Sequence, residues 1–208
     1  MNSKDLKTKG TGCLASVLIG IPLILVLLII LFMGFSSYNG MVSRDESVKS
    51  QWAKVESNYQ RRLDLVENLV NVVKGYATHE KSTLTEVIEA RSKATSVNIN
   101  SNSLNADNIE EFQSAQEGLS SALSKLMVVV EQYPDLKATV HFQQLMADLK
   151  EIEQQILVER NGYNDIAQLF NTYIRTFPKM IFAKWFGFEP YGYFKASKEA
   201  QNAPKVIM

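Results

Sequence analysis

Cysteine is nearly absent from this 208-residue chain, which contains only Cys13. A single cysteine excludes an intramolecular disulfide and any metal site built from several cysteines. A charge excess of one sign is also lacking, because 22 Lys and Arg balance 22 Asp and Glu. Proteins that bind nucleic acid electrostatically need a clustered excess of basic residues to displace counterions from phosphates. We therefore expect no nucleic-acid partner.

Catalytic and cofactor motifs are missing as well. The sequence has no G-x-S-x-G elbow, no phosphate-cradling glycine loop and no dinucleotide fingerprint. Histidine is limited to His79 and His141, and the position at which a zinc protease would carry its second histidine is Thr83. We expect no catalytic residue, no metal and no cofactor. A hydrolase that uses His79, Glu80 and a helical carboxylate remains a third functional alternative.

One long hydrophobic run lies near the N-terminus. From Cys13 to Phe35, no Asp, Glu, Lys, Arg or His occurs. At about 1.5 Å per helical residue this run extends roughly 34 Å, which is enough to cross a bilayer. It is also longer than the apolar stretch of a signal peptide, about 7 to 15 residues. We predict a short basic segment over 1–12 and a transmembrane helix over 13–35, with signal cleavage near Ser36 as the alternative.

Beyond the run, apolar residues recur every three or four positions, which is the period of an α-helix. Four helices are predicted: about 40–74, about 78–95, a third that starts near Asp107, and a long fourth from Pro134 to Phe177. A Ser- and Asn-rich loop separates the second helix from the third. Asp107 and Glu110 resemble a carboxylate capping box at the start of the third helix.

Amphipathic helices with short connections are typical of an antiparallel up-down bundle. We therefore predict an all-α protein: a transmembrane helix followed by a four-helix bundle over 36–177, in which the first and fourth helices are long. The predicted apolar stripes include Val48, Trp52, Val55, Tyr59, Leu63, Val66, Val73, Leu84, Val87, Ile88, Phe112, Leu119, Leu126, Ala138, Phe142, Leu149, Ile156, Tyr163, Phe170, Ile174 and Phe177.

The tail over 178–208 is basic and rich in aromatic residues. Residues 175–208 carry six Lys and Arg against two Glu, whereas residues 36–174 carry 13 Lys and Arg against 19 Asp and Glu. One interpretation is a membrane-interface foot, since tryptophan sits at headgroup depth and lysine is attracted to anionic lipid. The other, which we prefer, is that the aromatic residues fold back and close the core of the bundle. The candidate membrane-contacting residues are Lys179, Lys184, Trp185 and Phe186.

Several asparagines flank the apolar stripes of the first and fourth helices. A buried amide needs a hydrogen-bond partner and can fix the register of a bundle. We take this as the first interpretation of these residues and a ligand site as the second. The candidate polar patch between the two helices comprises Arg62, Asn68, Asn71, Arg160, Asn161 and Asn164.

Short motifs follow one another through most of the chain after the apolar run. They are Tyr38-Asn39, Tyr59-Gln60-Arg61-Arg62, Asn68-Leu69-Val70, Val73-Lys74-Gly75-Tyr76-Ala77, His79-Glu80, Ala90-Arg91, Tyr133-Pro134, Tyr163-Asn164, Phe177-Pro178, Gly187-Phe188 and Tyr193-Phe194. In their order these motifs resemble the LemA family. The resemblance implies a membrane-anchored α-helical bundle and supplies no reaction.

Two functional hypotheses follow. The first is a non-enzymatic, single-pass protein of the cytoplasmic membrane that contacts lipid through residues 13–35 and offers its bundle as a scaffold to protein partners. The second is a ligand-binding sensor that uses the polar patch. The sequence leaves open which side of the membrane carries the bundle.

Overall fold

A computed structural model describes residues 8–76 and 80–196, with side chains from residue 20 onward. Every regular element within these ranges is a helix. The helices are α1 (Thr8–Tyr76), α2 (Lys81–Ser96), α3 (Ala106–Val130), α4 (Pro134–Lys137), α5 (Val140–Arg175) and α6 (Lys179–Phe186). The predicted all-α class is confirmed.

The hydrophobic run and the first predicted bundle helix form one continuous helix, α1. The predicted start near residue 40 is therefore wrong. The apolar part of α1 is long and apolar enough to cross a membrane, with a mean hydropathy of 2.5 over its most apolar window. Its side chains are exposed, for example Leu23 at 66% and Phe35 at 70%. Exposed apolar surface on this scale is typical of a membrane-contacting segment.

The chain forms two compact units. The anchor unit comprises Met1–Ser43 and Tyr173–Glu189, and so contains the apolar part of α1 together with α6. The helical unit comprises Arg44–Thr172 and Pro190–Met208, and contains most of the remaining helices.

The core of the helical unit follows the predicted apolar stripes closely. Trp52, Leu119 and Tyr163 are almost fully buried, as the helical period predicts. Ile88 is an exception, because it lies on α2 with 42% of its surface exposed. Ala138 is exposed as well.

The fourth predicted helix is interrupted, and this places Ala138 outside the core. The short α4 ends at Lys137, and α5 starts two residues after Ala138. The Thr139 hydroxyl accepts a hydrogen bond from the backbone N–H of Phe142 at 3.3 Å, as an N-cap residue does. At its other end α5 stops at Arg175, so Phe177 lies beyond the helix and is 79% exposed.

The N-cap residue of the third helix lies two residues earlier than predicted. Asn105 is the N-cap residue, and its side-chain oxygen accepts a hydrogen bond from the Asn108 backbone N–H at 2.9 Å. Asp107 instead lies in the first turn, where the positive end of the helix dipole stabilises a carboxylate. The capping box of Asp107 and Glu110 is therefore wrong. The loop before α3 is confirmed, although Leu104 within it is buried.

Side chains connect α1 to each of its neighbours in the helical unit. The Arg62 guanidinium contacts the Glu153 carboxylate of α5 at 2.8 Å and donates to the Ser120 hydroxyl of α3 at 2.6 Å. From α2, Arg91 donates to the backbone carbonyl of Leu63 at 3.0 Å. These contacts bring residues of α2, α3 and α5 together around α1.

Candidate functional site

The most highly organised polar site in the described part of the helical unit holds residues Pro190–Ala196, here called the terminal segment. This segment follows α6 in the chain and contains no helix. Its backbone is held by side chains of α3 and α5. The site is therefore built as a receptor for a length of main chain.

Two asparagines of α5 bind the terminal segment in the same way. Asn171 accepts a hydrogen bond from the backbone N–H of Tyr191 at 2.8 Å and donates to the Tyr191 carbonyl at 2.9 Å. Asn164 accepts from the N–H of Phe194 at 2.9 Å and donates to the Phe194 carbonyl at 3.0 Å. Each amide therefore satisfies both main-chain groups of one residue, as a neighbouring β-strand would.

The spacing of these asparagines matches the spacing of their targets. Seven residues along a helix advance about 10.5 Å, and three residues of extended chain cover about 10 Å. Asn164 and Asn171 thus reach Phe194 and Tyr191 only when the terminal segment runs extended and antiparallel to α5. The spacing of the two asparagines on α5 therefore fixes the register of the segment.

A third amide repeats this arrangement on α3. Gln113 accepts from the N–H of Lys195 at 3.0 Å and donates to the Lys195 carbonyl at 3.1 Å. The same carbonyl also accepts from the Arg160 guanidinium at 2.9 Å. We call Asn164, Asn171 and Gln113 the amide clamp. Because it binds main-chain groups, it selects chain conformation more than side-chain identity.

A glycine allows the segment to approach the start of α3. The Gly192 N–H donates to the Leu104 carbonyl at 2.8 Å. A Cβ at position 192 would lie 2.7 Å from the Cα of Ala106 and from the carbonyl oxygen of Asn105. Both neighbours are backbone atoms, which cannot move aside as a flexible side chain does. Glycine is therefore required here for steric reasons.

Phe194 places its ring among the aromatic residues of the core. It stacks on Trp52 with a centroid distance of 6.0 Å and meets Tyr163 edge-on at 5.5 Å. The Arg160 guanidinium lies over the Phe194 ring, 4.7 Å from the ring centroid. Phe194 is 5% exposed. The terminal segment thus contributes a core residue to the helical unit.

The two ends of the segment make polar side-chain contacts. The Tyr191 hydroxyl donates to the Asp45 carboxylate at 2.6 Å, and burial together with that carboxylate raises the pKa of Tyr191 above its usual value. The Lys195 ammonium pairs with the Glu110 carboxylate at 2.6 Å. Both partners of this last pair are largely exposed. It is therefore a contact that adds little to stability.

The predicted polar patch divides into separate groups. Arg160 and Asn164 meet on the terminal segment, whereas buried Arg62 binds Glu153 and Ser120. The remaining three patch residues, Asn68, Asn71 and Asn161, are exposed. An exposed amide is solvated by water, so these three asparagines do not need a buried partner. Gln113 was not predicted as a site residue from the sequence, nor was the contact of Asn171 with the tail.

The candidate membrane-contacting residues all belong to α6 in the anchor unit. Trp185 is 73% exposed, and Lys184 and Phe186 are exposed too. The Lys179 ammonium lies 3.8 Å from the centroid of the Tyr173 ring. The tail therefore divides at Pro190: α6 belongs to the anchor unit, whereas the terminal segment closes the core of the helical unit.

The anchor unit contains an apolar groove between α1 and α6. Its volume is about 370 Å³, and it is lined by Ile30, Leu31, Gly34, Phe35, Tyr38, Phe182, Trp185 and Phe186. Phe182 approaches α1 beside Gly34, where an added Cβ would lie 3.4 Å from its ring. This position is close to the end of the predicted membrane span. Helix α6 thus packs on α1 near the level at which the apolar run ends.

A small cavity in the helical unit adjoins the aromatic core. It has a volume of about 60 Å³ and is lined in part by Trp52, Tyr59, Phe112 and Gln116. The Trp52 indole N–H and the Gln116 side-chain oxygen are buried, and neither has a hydrogen-bond partner in the described part of the chain. A buried donor and acceptor that line one cavity are suited to a small hydroxyl-bearing molecule or water.

Metal ligation has no support in the residues that the structure describes. No group of three or more His, Cys, Asp or Glu residues there is placed to hold a metal ion. His141 lies on α5. His79, which the hydrolase hypothesis uses, lies outside the described residues.

Comparison with known proteins decides the family. The LemA family model matches residues 51–207, a range that includes both the amide clamp and the terminal segment. The chain belongs to the LemA family. The matched range begins inside the helical unit, so the family signature lies in the helical unit and the tail, outside the apolar run.

Individual relatives of this LemA family chain agree with that result. Magnetosome protein MamQ 1 of Paramagnetospirillum magneticum is 27% identical over 188 residues, which cover 81% of this chain and 68% of the relative. Magnetosome protein MamQ of Magnetospirillum gryphiswaldense is 26% identical with the same coverage. Protein LemA of Metamycoplasma hominis is 26% identical over 154 residues, which cover 74% of this chain and 67% of the relative. Together with the apolar helix, these relatives indicate a membrane-associated protein.

Proposed function

We propose that this protein is a non-enzymatic, single-pass protein of the cytoplasmic membrane whose helical unit serves as an interaction scaffold. The observation that carries the proposal is the exposed apolar part of α1, which continues into the helical unit without a break. Residues 13–35 would lie in the bilayer, and α6 would rest at its surface. The length and hydropathy of the apolar part of α1 support membrane association, and the names of the relatives do not include a reaction.

The scaffold would be a four-helix up-down bundle of α1, α2, α3 and α5. Contacts between α1 and α5 support an antiparallel arrangement of these two helices. Trp52 meets Tyr163, and Arg62 meets Glu153, so residue numbers rise along α1 as they fall along α5. Such a bundle offers long helical faces to partners.

Exposed aliphatic residues on the helical unit are the proposed contact points. Val158 and Leu169 of α5 are each about two-thirds exposed. They are eleven residues apart, a separation that returns to nearly the same face of a helix. Single exposed aliphatic residues are common on protein surfaces. Crosslinking at these two positions therefore decides whether this face binds a partner.

Photocrosslinking in cells tests the scaffold. A photoreactive phenylalanine analogue at Val158 or Leu169 should yield a discrete heavier adduct, which mass spectrometry identifies. The matched control places the same analogue at Gln168, an exposed position of the same helix that lies about 80–100° around the helix axis from Val158 and Leu169. If neither Val158 nor Leu169 gives an adduct beyond the control, the scaffold proposal for this face fails.

The second candidate function is a ligand sensor, and the small cavity beside Trp52 and Gln116 favours it. A ligand that binds only the folded chain raises its stability in proportion to the logarithm of ligand concentration. A thermal-shift screen of the full chain in detergent should therefore find a small alcohol or hydroxy acid that raises the unfolding temperature. The Gln116→Leu variant removes the unpaired acceptor and should abolish the shift. A screen without any shift removes this candidate.

A further inference from the structure

We infer that the site of the amide clamp is a peptide-recognition site, and that a second copy of this chain supplies its terminal segment to the site in trans. This inference names a partner for the proposed scaffold and rests on that proposal. The ligand class is an extended peptide with glycine two positions before a phenylalanine and three before a lysine. The chain's own Gly192, Phe194 and Lys195 have this spacing.

The amide clamp binds any chain in the correct conformation. Both main-chain groups of Tyr191, Phe194 and Lys195 are bonded to side chains of α3 and α5. Main-chain hydrogen bonds supply affinity in strand-addition complexes, whereas pockets for side chains supply specificity. None of these bonds depends on which copy of the chain provides the segment.

The terminal segment itself meets the specificity requirements of the site. Position 192 accepts only glycine, because a Cβ would collide with the backbone at Ala106. Position 194 fills the aromatic pocket beside Trp52 and Tyr163. Position 195 reaches Glu110 with its ammonium group. Every copy of this chain carries a segment that satisfies all three requirements.

The connection between α6 and the terminal segment is short. Helix α6 ends at Phe186. Its C-cap residue Gly187 has a φ of 75°, in the left-handed region, and only Phe188 and Glu189 separate Gly187 from the segment. A change of backbone angles in such a short linker is enough to send an unchanged segment to a neighbouring molecule, which is the principle of domain swapping. Chains held in one membrane meet at raised local concentration, and this favours exchange.

Zero-length crosslinking between two differently marked chains tests the inference. Carbodiimide joins an amine to a carboxylate that touches it, as the Lys195 ammonium and the Glu110 carboxylate do. Full-length Lys195→Ala and Glu110→Gln chains are co-expressed in membranes. Each chain alone lacks one reactive partner, and both residues are exposed, so the substitutions leave the core unchanged. A Lys195–Glu110 isopeptide then forms only when the segment of the Glu110→Gln chain occupies the site of the Lys195→Ala chain.

The expected result is a crosslinked dimer in which mass spectrometry finds the Lys195–Glu110 isopeptide. Adding Gly192→Ala to the chain that donates the segment should reduce this dimer at least about tenfold, a loss that corresponds to about 1.4 kcal/mol. Adding Gly192→Ala to the receiving chain leaves its clamp intact and should not reduce the dimer.

Absence of the isopeptide from the mixed chains, with its presence inside single wild-type chains, overturns the inference. A fluorescent peptide of residues 190–196 that binds the full-length Gly192→Ala chain without any isopeptide in the mixture also overturns the second-copy assignment. In that case the terminal segment of the same chain fills the site, as it does in the structure. Either result leaves the adducts at Val158 and Leu169 as an independent test of the scaffold.

Discussion

Arg62 of α1 and Glu153 of α5 form an ion pair of unequal burial. The guanidinium is 2% exposed, and the carboxylate with which it pairs at 2.8 Å is about half exposed. A buried charge is stable only when it is paired and hydrogen-bonded. Glu153 therefore keeps Arg62 in the core. From the sequence, Arg62 was expected in the polar patch between the first and fourth helices.

Loss of Glu153 should destabilise the helical unit. We expect Glu153→Gln to lower the free energy of unfolding by about 1–3 kcal/mol, below the 3–5 kcal/mol of a fully buried pair because solvent screens the carboxylate. Urea unfolding of the full chain in detergent measures this change. Glu151→Gln, at an exposed position on the same helix, is the control and should stay within about 0.5 kcal/mol of wild type.

Removal of a clamp amide should release the terminal segment. Asn171→Ala leaves the N–H and carbonyl of Tyr191 without their partner, which costs about 1–3 kcal/mol. We expect faster hydrogen exchange at Tyr191 and Phe194 and earlier protease cleavage after Lys195. Asn68→Ala changes an exposed asparagine and should change neither measurement. Equal exchange rates in the two variants would contradict the clamp.

Tyr191 should make stability decrease at alkaline pH. Its pKa is raised in the folded chain because of burial and the hydrogen bond to Asp45. A raised folded pKa gives stability that is complete below the ordinary tyrosine pKa near 10 and is lost as pH rises above it. The loss should approach about 1.4 kcal/mol per pH unit for this residue.

Comparison of wild type with Tyr191→Phe between pH 8 and 11 measures that contribution. The variant should lose the Asp45 hydrogen bond at pH 8 and show a shallower decline above pH 10. Burial also raises the pKa of Tyr163, so part of the decline should remain in the variant. Identical slopes for the two proteins would exclude ionisation of Tyr191 as a cause.

Trp185 should lie at the membrane surface. The chain has two tryptophans, of which Trp52 is buried in the helical unit and Trp185 is exposed on α6. In vesicles that contain lipids brominated near the headgroup, we expect strong quenching of fluorescence in Trp52→Phe and little quenching in Trp185→Phe. Quenching that is weak and equal in both variants would separate α6 from the membrane.

The core of the helical unit was predictable because burial follows a local period. Trp52, Leu119 and Tyr163 lie on stripes that are visible in the sequence. The start of a separate helix near Gly40 was not correct, because that glycine serves packing and not helix termination. An added Cβ there would collide with the Tyr173 ring of the same unit. A glycine in the sequence does not show which of these two roles it has.

The amide clamp was predictable only in part. The sequence indicated that asparagines near the stripes of α5 need partners, and Asn164 and Asn171 have them. The partners are main-chain groups of residues 20 to 30 positions further along the chain. Main-chain groups are the same at every residue, so the sequence carries no sign of which segment an amide will bind. The burial of Arg62 was not predicted for a related reason, since this burial depends on Glu153 of another helix.

The position of Phe194 has a consequence for protein synthesis. Its ring completes the aromatic core around Trp52 and Tyr163, yet the ribosome makes Phe194 after all the helices that it contacts. During translation, the growing chain therefore exposes an open aromatic pocket beside a membrane. The pocket closes only after the terminal segment has left the ribosome.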